Sequence, residues 1–344
     1  MQPTAVGVIG VGRIGTMHTH NLVRHVPEAR VKAVASPHID RDWAAALGIP
    51  IATPDPDELL RDPEIEAVVI TTPSGRHVEM IRRAAQAGKQ IFCEKPVAFE
   101  PQAIVEAIAA AEAAGVRLQV GFNRRFDPSI CRLAEAVRAG KVGRLHSLRV
   151  INRDPRRPPV EFVRRSGGMF FDFTIHDLDT LRFLSGSEID EVYAAGAALV
   201  DPEIGAAGDI DTAIVTARLA NGALCVIDNS RETHYGYDQR FEAFGSKGNL
   251  TVDNLKPTTV TSYLKPGVYE DTPLPSFIER YQDAFIGELR AFLRSVREGT
   301  PVAATGEDAL AAVEAAVAAR TSLAENRPVH VTRRAAGAAE GGSR

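Results

Sequence analysis

Three cysteines in 344 residues, Cys93, Cys131 and Cys225, are too few and too far apart for a disulfide framework or a CxxC metal site. That usage fits a reducing compartment, so a cytoplasmic location is expected. No apolar run has the length that spans a bilayer, and no basic segment precedes the first apolar stretch. Neither a membrane anchor nor a secretory leader is therefore expected. An excess of charge of one sign is also lacking: 40 Lys and Arg stand against 44 Asp and Glu, a formal net charge of −4. This leaves no electrostatic case for nucleic acid or an anionic membrane as partner. No internal repeat is present. With 44% hydrophobic and 24% charged residues, what remains is a globular chain long enough for about two domains.

What is present begins with glycine. Gly10, Gly12 and Gly15 follow the apolar run Val6–Ile9 and precede a helical pattern of Ile14, Met17, Leu22 and Val26. Backbone N–H groups in such a turn approach a pyrophosphate at a helix N-terminus, where the dipole favours negative charge. A tight turn with no ligand has the same spacing, but the strand before and the helix after favour a dinucleotide. Gly10, Gly12, Arg13, Ile14 and Gly15 are the candidate phosphate-binding residues. In an NAD-binding unit an Asp or Glu ends the second strand and holds the ribose. Here the strand Val31–Ala35 is followed by Ser36, and no carboxylate appears before Asp40. Ser36 does not repel a 2′-phosphate, and Arg41 supplies a positive charge. The cofactor is thus NAD or NADP, with the reading tilted toward NADP. The alternative is that Ser36 is a loop residue and Arg41 a solvated helix charge.

Up to residue 122 short apolar runs alternate with helical stretches: Val6–Ile9, Val31–Ala35, Ala67–Thr71, Gln90–Cys93 and Arg117–Gly121, with Val78–Ala87 and Pro101–Ala114 between. This predicts a doubly wound parallel sheet, an N-terminal Rossmann domain over 1–122. From 123 to 332 a helix (130–139) leads into strand-like runs at 145–152, 192–199, 212–219, 224–229, 240–244 and 250–252. Asn221-Gly222 reads as a hairpin turn. The expectation is a second α/β domain with an open, largely antiparallel sheet, whose exposed face suits a partner subunit. Tyr281–Val296 is amphipathic through Phe285, Leu289, Phe292 and Val296, a core face rather than a cofactor box. Residues 333–344 have the composition of a disordered tail.

Thr72-Pro73 ends the third main strand and is placed on the nicotinamide side. His77 beyond it either packs and caps or touches ligand. Glu94-Lys95-Pro96 follows a strand end that faces the ligand crevice, and Pro96 restricts the backbone of Lys95. Without that context Lys95 reads as a surface lysine. Asp172 and His176 lie four apart and share one helix face. A carboxylate at a helix start orients an imidazole able to exchange protons near neutral pH. Among Phe170, Phe171, Phe173 and Ile175, the spacing fits a buried structural histidine equally well. A His–Asp pair is also half of a metal site, but no third ligand is evident, so no metal is expected. The loop Arg153–Pro159 reads as solvated, with a phosphorylated substrate as the alternative.

Taken together, Gly10–Gly15, Thr72-Pro73, Glu94-Lys95-Pro96, Gly121-Phe122 with Arg125, and Asp172 with His176 resemble the Gfo/Idh/MocA oxidoreductase family over residues 5–331. Within it the chain is most similar to the inositol 2-dehydrogenases, through Gly121–Asp127, Ser166–Asp177, Asn229–Arg231 and Tyr235–Gly248. The resemblance implies Lys95, Asp172 and His176 as the catalytic trio, and Glu94 and Lys95 among the cofactor contacts. It implies substrate contacts at Asn123, Arg125, Asn152, Asp154, Phe173 and Tyr235, and a homo-oligomer, dimer or tetramer. Asn123, Asn152 and Phe173 differ from the Met, His and Thr of those enzymes, and Ser36 from their acid. The expected activity is NAD(P)-dependent oxidation of a secondary hydroxyl of a cyclic polyol, myo-inositol or a stereoisomer, to the inosose. The alternatives are a sugar (aldose) dehydrogenase, an inosose reductase, or a cofactor-sensing regulator without turnover.

Overall fold

The computed structural model describes residues 2–334. The chain divides into two compact units, one of Met1–Phe126 with Asp283–Val313, the other of Asp127–Gln282 with Glu314–Thr332.

The first unit is built on six parallel strands: β1 (Thr4–Ile9), β2 (Ala29–Ala35), β3 (Ile51–Thr53), β4 (Ala67–Ile70), β5 (Gln90–Glu94) and β6 (Leu118–Gly121). Their order is β3-β2-β1-β4-β5-β6. Every residue of β1 and β4 is buried. That is why these strands read as continuous apolar runs: helices cover both faces of a parallel sheet. Three-residue β3 was not expected, being too short to leave a pattern. The strand order reverses between β1 and β4, and in such sheets ligands bind beyond the carboxyl ends at that point. The helix Gln282–Glu298 buries Leu289, Phe292 and Leu293 in one apolar core with Val6, Val8, Val34 and Phe92. Its apolar face is core, as its period predicts. The contacts nevertheless group Asp283–Val313 with the first unit, whereas the sequence pattern placed 123–332 in a second domain. A helical period reveals an apolar face but not which core it meets.

The second unit carries β7 (Leu145–Arg153), β8 (Ile189–Ala197), β9 (Thr212–Leu219), β10 (Leu224–Ser230), β11 (Asp238–Gly245), β12 (Gly248–Val252), a small hairpin β13 (Thr261–Tyr263) and β14 (Val268–Glu270), and β15 (Val329–His330). The main sheet runs β12-β11-β7-β10-β9-β8-β15. It is antiparallel except where β7 and β10 pair in parallel. Buried and exposed residues alternate along β9, so one face is covered and the other is not. The turn at Asn221-Gly222 joins β9 to β10 with Gly222 at φ +86°, a conformation open to glycine. The helices Pro128–Arg138 and Ile175–Ser185 pack on each other and on this sheet. The expected tail lies, from residue 335 on, outside the described residues.

Candidate active site

The three glycines of the first turn have three different reasons. Gly10 has φ +96°, and a Cβ there would lie 2.6 Å from Thr72 N and 2.7 Å from the Thr71 carbonyl carbon. A Cβ on Gly15 would lie 1.9 Å from Gly10 O, so this glycine lets the helix Arg13–His25 close on the strand. A Cβ on Gly12 would meet no protein atom within 4 Å. The fold itself does not demand glycine there, whereas a pyrophosphate approaching the backbone does. Gly12 is the N-cap and no side chain caps the helix, which leaves its first N–H groups to a ligand. Ile14 is half-buried in that first turn and Arg13 exposed. The turn fits a dinucleotide.

At the end of β2, Ser36 is half-buried and its N–H donates to Thr53 O at 3.0 Å. Asp40, the next carboxylate, is an N-cap that accepts from Trp43 N at 3.0 Å. Arg41, exposed, opens the helix Arg41–Ala46.

Beyond β4, the Thr71 hydroxyl donates to Gly10 O, fastening the two turns at the switch point. The Thr72 hydroxyl oxygen is buried with no hydrogen-bond partner among the described residues, and Pro73 is exposed. His77 is buried, with Nδ1 2.8 Å from Pro96 O and Nε2 2.7 Å from Thr72 O. The ring therefore ties the Thr72-Pro73 turn to the Glu94-Lys95-Pro96 turn. Burial pulls this imidazole toward its neutral form, while the two carbonyls favour the charged one. Of the two readings of His77, packing describes what it does here. Glu94 closes β5, Lys95 follows it half-buried, and Glu94 Oε2 accepts the Lys95 main-chain N–H at 3.2 Å.

In the second unit Asp172 sits in a single π-helical turn, Phe170–Thr174, which runs directly into the α-helix Ile175–Ser185 carrying His176. A π turn is wider than an α turn and recurs at functional sites. Sequence spacing alone predicts an ordinary helix start here. Asp172 Oδ2 accepts from Arg231 Nη1 at 3.1 Å, and the Arg231 side chain is 1% exposed. The same guanidinium stands 5.5 Å from the Phe173 ring centroid. Arg231 belongs to the Asn229–Arg231 stretch that carries the resemblance, but its pairing with Asp172 was not foreseen, because the two lie far apart in sequence.

Two of the expected substrate contacts have partners inside the protein. Asn152 is fully buried: its Nδ2 donates to Asp177 Oδ2 at 3.1 Å and the Tyr237 hydroxyl lies 3.3 Å from its Oδ1. Asn229 Nδ2 donates to the same Asp177 oxygen at 2.9 Å, and Thr174 Oγ1 donates to Asn229 Oδ1 at 2.6 Å. Asn152 is thus part of a buried polar network under the π turn. Arg125 is engaged by Asp308, Nη2 to Oδ1 at 2.8 Å and Nη1 to Oδ2 at 2.9 Å. That bidentate pair joins two segments of the first unit. Tyr235, 40% exposed, donates to Asp238 Oδ2 at 2.7 Å and accepts from Arg153 Nη1 at 3.3 Å. Burial, then the Asp238 carboxylate, push its phenol pKa up, so it keeps its proton. Asn123 and Phe173 are buried, and Asp154 N donates to Ser230 O at 2.9 Å.

Comparison with known proteins adds to this geometry. The GFO_IDH_MocA model, described as an oxidoreductase family with an NAD-binding Rossmann fold, matches residues 4–122. The GFO/IDH/MocA C-terminal domain model matches residues 130–251. The uncharacterized oxidoreductase YrbE of Bacillus subtilis is 46% identical over 94% of this chain and 96% of its own length. Myo-inositol 2-dehydrogenase of Thermotoga maritima is 44% identical over 94% of this chain and 97% of its own. A crystal structure of scyllo-inositol dehydrogenase from Lactobacillus casei with bound NAD(H) and scyllo-inositol superposes with a TM-score of 0.89. It is 32% identical and covers 96% of this chain and 99% of that one.

Proposed function

The chain belongs to the GFO/IDH/MocA oxidoreductase family, and from that premise we propose that it oxidises one secondary hydroxyl of an inositol to the ketone. The observation that carries this reading is the extent of the likeness: 44% identity to a myo-inositol 2-dehydrogenase across 94% of the chain takes in both units. A bound nicotinamide supplies the hydride acceptor, which no side chain can. His176 takes the hydroxyl proton on an imidazole nitrogen. Asp172, gripped by Arg231, orients that imidazole and stabilises it once charged. Lys95 offers its ammonium to the developing alkoxide. An uncharged polyol is recognised by hydrogen bonds alone. Tyr235, Asp154 and Asn123 supply them, Phe173 narrows the pocket, and Asn152 acts only through Asp177.

NAD(H) is bound by the Lactobacillus casei relative. In this chain Ser36 puts no carboxylate at the end of β2 and Arg41 stands exposed five residues on, which supports use of NADP at least as well as NAD. The chain works as a cytoplasmic homo-oligomer in this reading. Exposed Ile214, Leu224 and Phe244 on the uncovered sheet face support association.

The test is an absorbance assay for reduced nicotinamide with inositol isomers, D-glucose and D-xylose, each with NAD and with NADP. One inositol isomer is expected to be oxidised best. A buried polar group left unpaired costs about 1–3 kcal/mol, so an epimer with one hydroxyl misplaced falls roughly 10–100-fold in kcat/KM. Turnover of an aldose with no inositol turned over would make the protein a sugar dehydrogenase.

A further inference from the structure

Beneath the Glu94-Lys95-Pro96 turn, three titratable side chains from three elements meet inside the first unit. His18 comes from the helix Arg13–His25, Glu94 from the end of β5, and Glu288 from the helix Gln282–Glu298. The side chains of His18 and Glu288 are wholly buried, and that of Glu94 is 12% exposed. His18 Nε2 lies 2.7 Å from Glu94 Oε1 and 3.9 Å from Glu288 Oε1. Phe92 and Phe285 stand edge-on to the imidazole at 5.5 and 5.8 Å and hold its plane. Both carboxylate oxygens of Glu288 are buried with no hydrogen-bond partner among the described residues. A charged carboxylate in that position is very costly. Burial, and then the charge on Glu94, push the Glu288 carboxyl well above the usual carboxylate range. Glu288 is therefore driven toward its protonated form, while His18 Nε2 and Glu94 Oε1 stand at hydrogen-bond distance.

Glu94 is held on its other sides as well. Its Oε2 accepts the Lys95 N–H. Its carboxylate lies flat on Gly121, where a Cβ would fall 3.0 Å from Glu94 Cδ and 3.1 Å from either oxygen. Beyond Lys95, His77 grips the Pro96 carbonyl. The residues on both sides of Lys95 are thus each fixed by a buried imidazole.

We infer that His18 is a positioning residue: it fixes the Glu94 carboxylate and, through it, the main chain of Lys95, so that the lysine amine is presented in one direction. The inference rests on the catalytic role proposed for Lys95. The three groups are compact enough to suggest a cation, with their ligand atoms within 4.8 Å of one another. A direct hydrogen bond between His18 and Glu94 fits better. The 2.7 Å from Nε2 to Oε1 is a hydrogen-bond length, whereas two ligands on one zinc-sized ion sit roughly 2.9–3.5 Å apart.

The test compares His18→Gln, whose amide reaches Glu94 as Nε2 does, with His18→Asn, whose amide does not. In the full-length enzyme with NAD and the best inositol, His18→Gln should keep kcat within about threefold. His18→Asn should lose roughly 10–100-fold in kcat with KM for NAD little changed. Reductive methylation of Lys95, followed by mass spectrometry, should change in rate in His18→Asn and not in His18→Gln. Equal behaviour of the two variants in both readouts overturns the inference. Lys95→Ala separates the premise: full kcat there sinks the catalytic role of Lys95, while the methylation rates still decide whether it is positioned. Should His18→Asn not fold, His18→Ala compared with His18→Gln in the same two readouts decides, and Glu288→Gln tests the buried carboxyl separately. A group whose pKa is raised on folding loses its stabilisation as pH rises from the ordinary Glu value of ~4.3 toward the folded value. Glutamine loses nothing, so Tm of Glu288→Gln relative to wild type should climb with pH. A flat difference overturns the buried proton, as does stoichiometric metal that a chelator removes together with activity.

Discussion

Asn152→Asp replaces one amide NH₂ by an oxygen, and its effect can be worked out from a single contact. In the wild type Asn152 Nδ2 donates to Asp177 Oδ2 over 3.1 Å, and both residues are 0% exposed. Aspartate there turns a donor into an acceptor and sets two buried carboxylates about hydrogen-bond distance apart. Two such groups cannot both ionise, so one takes a proton and its pKa rises. In the unfolded chain both have the ordinary value of ~3.9. The variant's folded form thus binds one proton more than its unfolded form above that value. Its stability falls as pH rises, by up to ~1.4 kcal/mol per pH unit, until the raised pKa is passed. Near pH 4 the shared proton restores a hydrogen bond and the loss is small. By pH 7 it is on the order of 3–4 kcal/mol, the upper limit of that slope. Urea unfolding of variant and wild type at pH 5, 6, 7 and 8 measures it. A difference independent of pH would refute the argument, and would mean that the carbonyl of Asn152 faces Asp177. A pure rise in KM for the polyol with unchanged stability would return Asn152 to the ligand.

Other expectations follow from single contacts. His176→Ala should lower kcat by roughly 10²–10⁴-fold, the range of a general base, with an unchanged melting curve; near-normal kcat removes His176 from the mechanism. Ser36→Asp should turn cofactor preference toward NAD in kcat/KM, because a carboxylate there binds the ribose and repels a 2′-phosphate; a wild type that already prefers NAD strongly defeats the reasoning. Gly15→Ala puts a Cβ 1.9 Å from Gly10 O and should cost about 1–3 kcal/mol or more in stability. Gly12→Ala meets no protein atom, so it should melt like the wild type yet bind NAD more weakly by calorimetry. The opposite ranking in stability would reverse the roles given to the two glycines.

How much of this was legible beforehand depended on whether a feature has a period. The parallel strands around Val6–Ile9 and Ala67–Ile70 are buried on both faces and so appear as apolar runs. The glycine turn was legible because backbone geometry restricts residue type at Gly10 and Gly15. Lys95, Asp172 and His176 stood out by chemistry within such context. β3, the parallel pairing of β7 with β10, and the π turn at Phe170–Thr174 leave no comparable mark. A π turn differs from an α turn by one residue in its hydrogen bonds, and no side-chain pattern records that.

The polar interior was the least legible part, for a reason that bears on function. A buried Asn or Arg is sustained by partners distant in sequence: Asn152 by Asp177 and Arg231 by Asp172. The family resemblance implied Asn152 and Arg125 as substrate contacts, and nothing along the chain shows that either has a partner inside the protein. Folding gives Asn152 an internal acceptor in Asp177 and Arg125 one in Asp308. A group already satisfied in the protein gains little by meeting a polyol, since it exchanges one hydrogen bond for another. Tyr235 is hydrogen-bonded too, to Asp238 and Arg153, but differs from Asn152 in being 40% exposed, so under the proposed polyol reading it can exchange those partners for substrate. Substitutions at Asn152, Asn229 or Asp177 should accordingly move stability and kcat together, whereas Tyr235→Phe should move KM for the polyol with stability nearly unchanged. Equal stability losses at Tyr235 and Asn152 would erase that division between surface recognition and buried support.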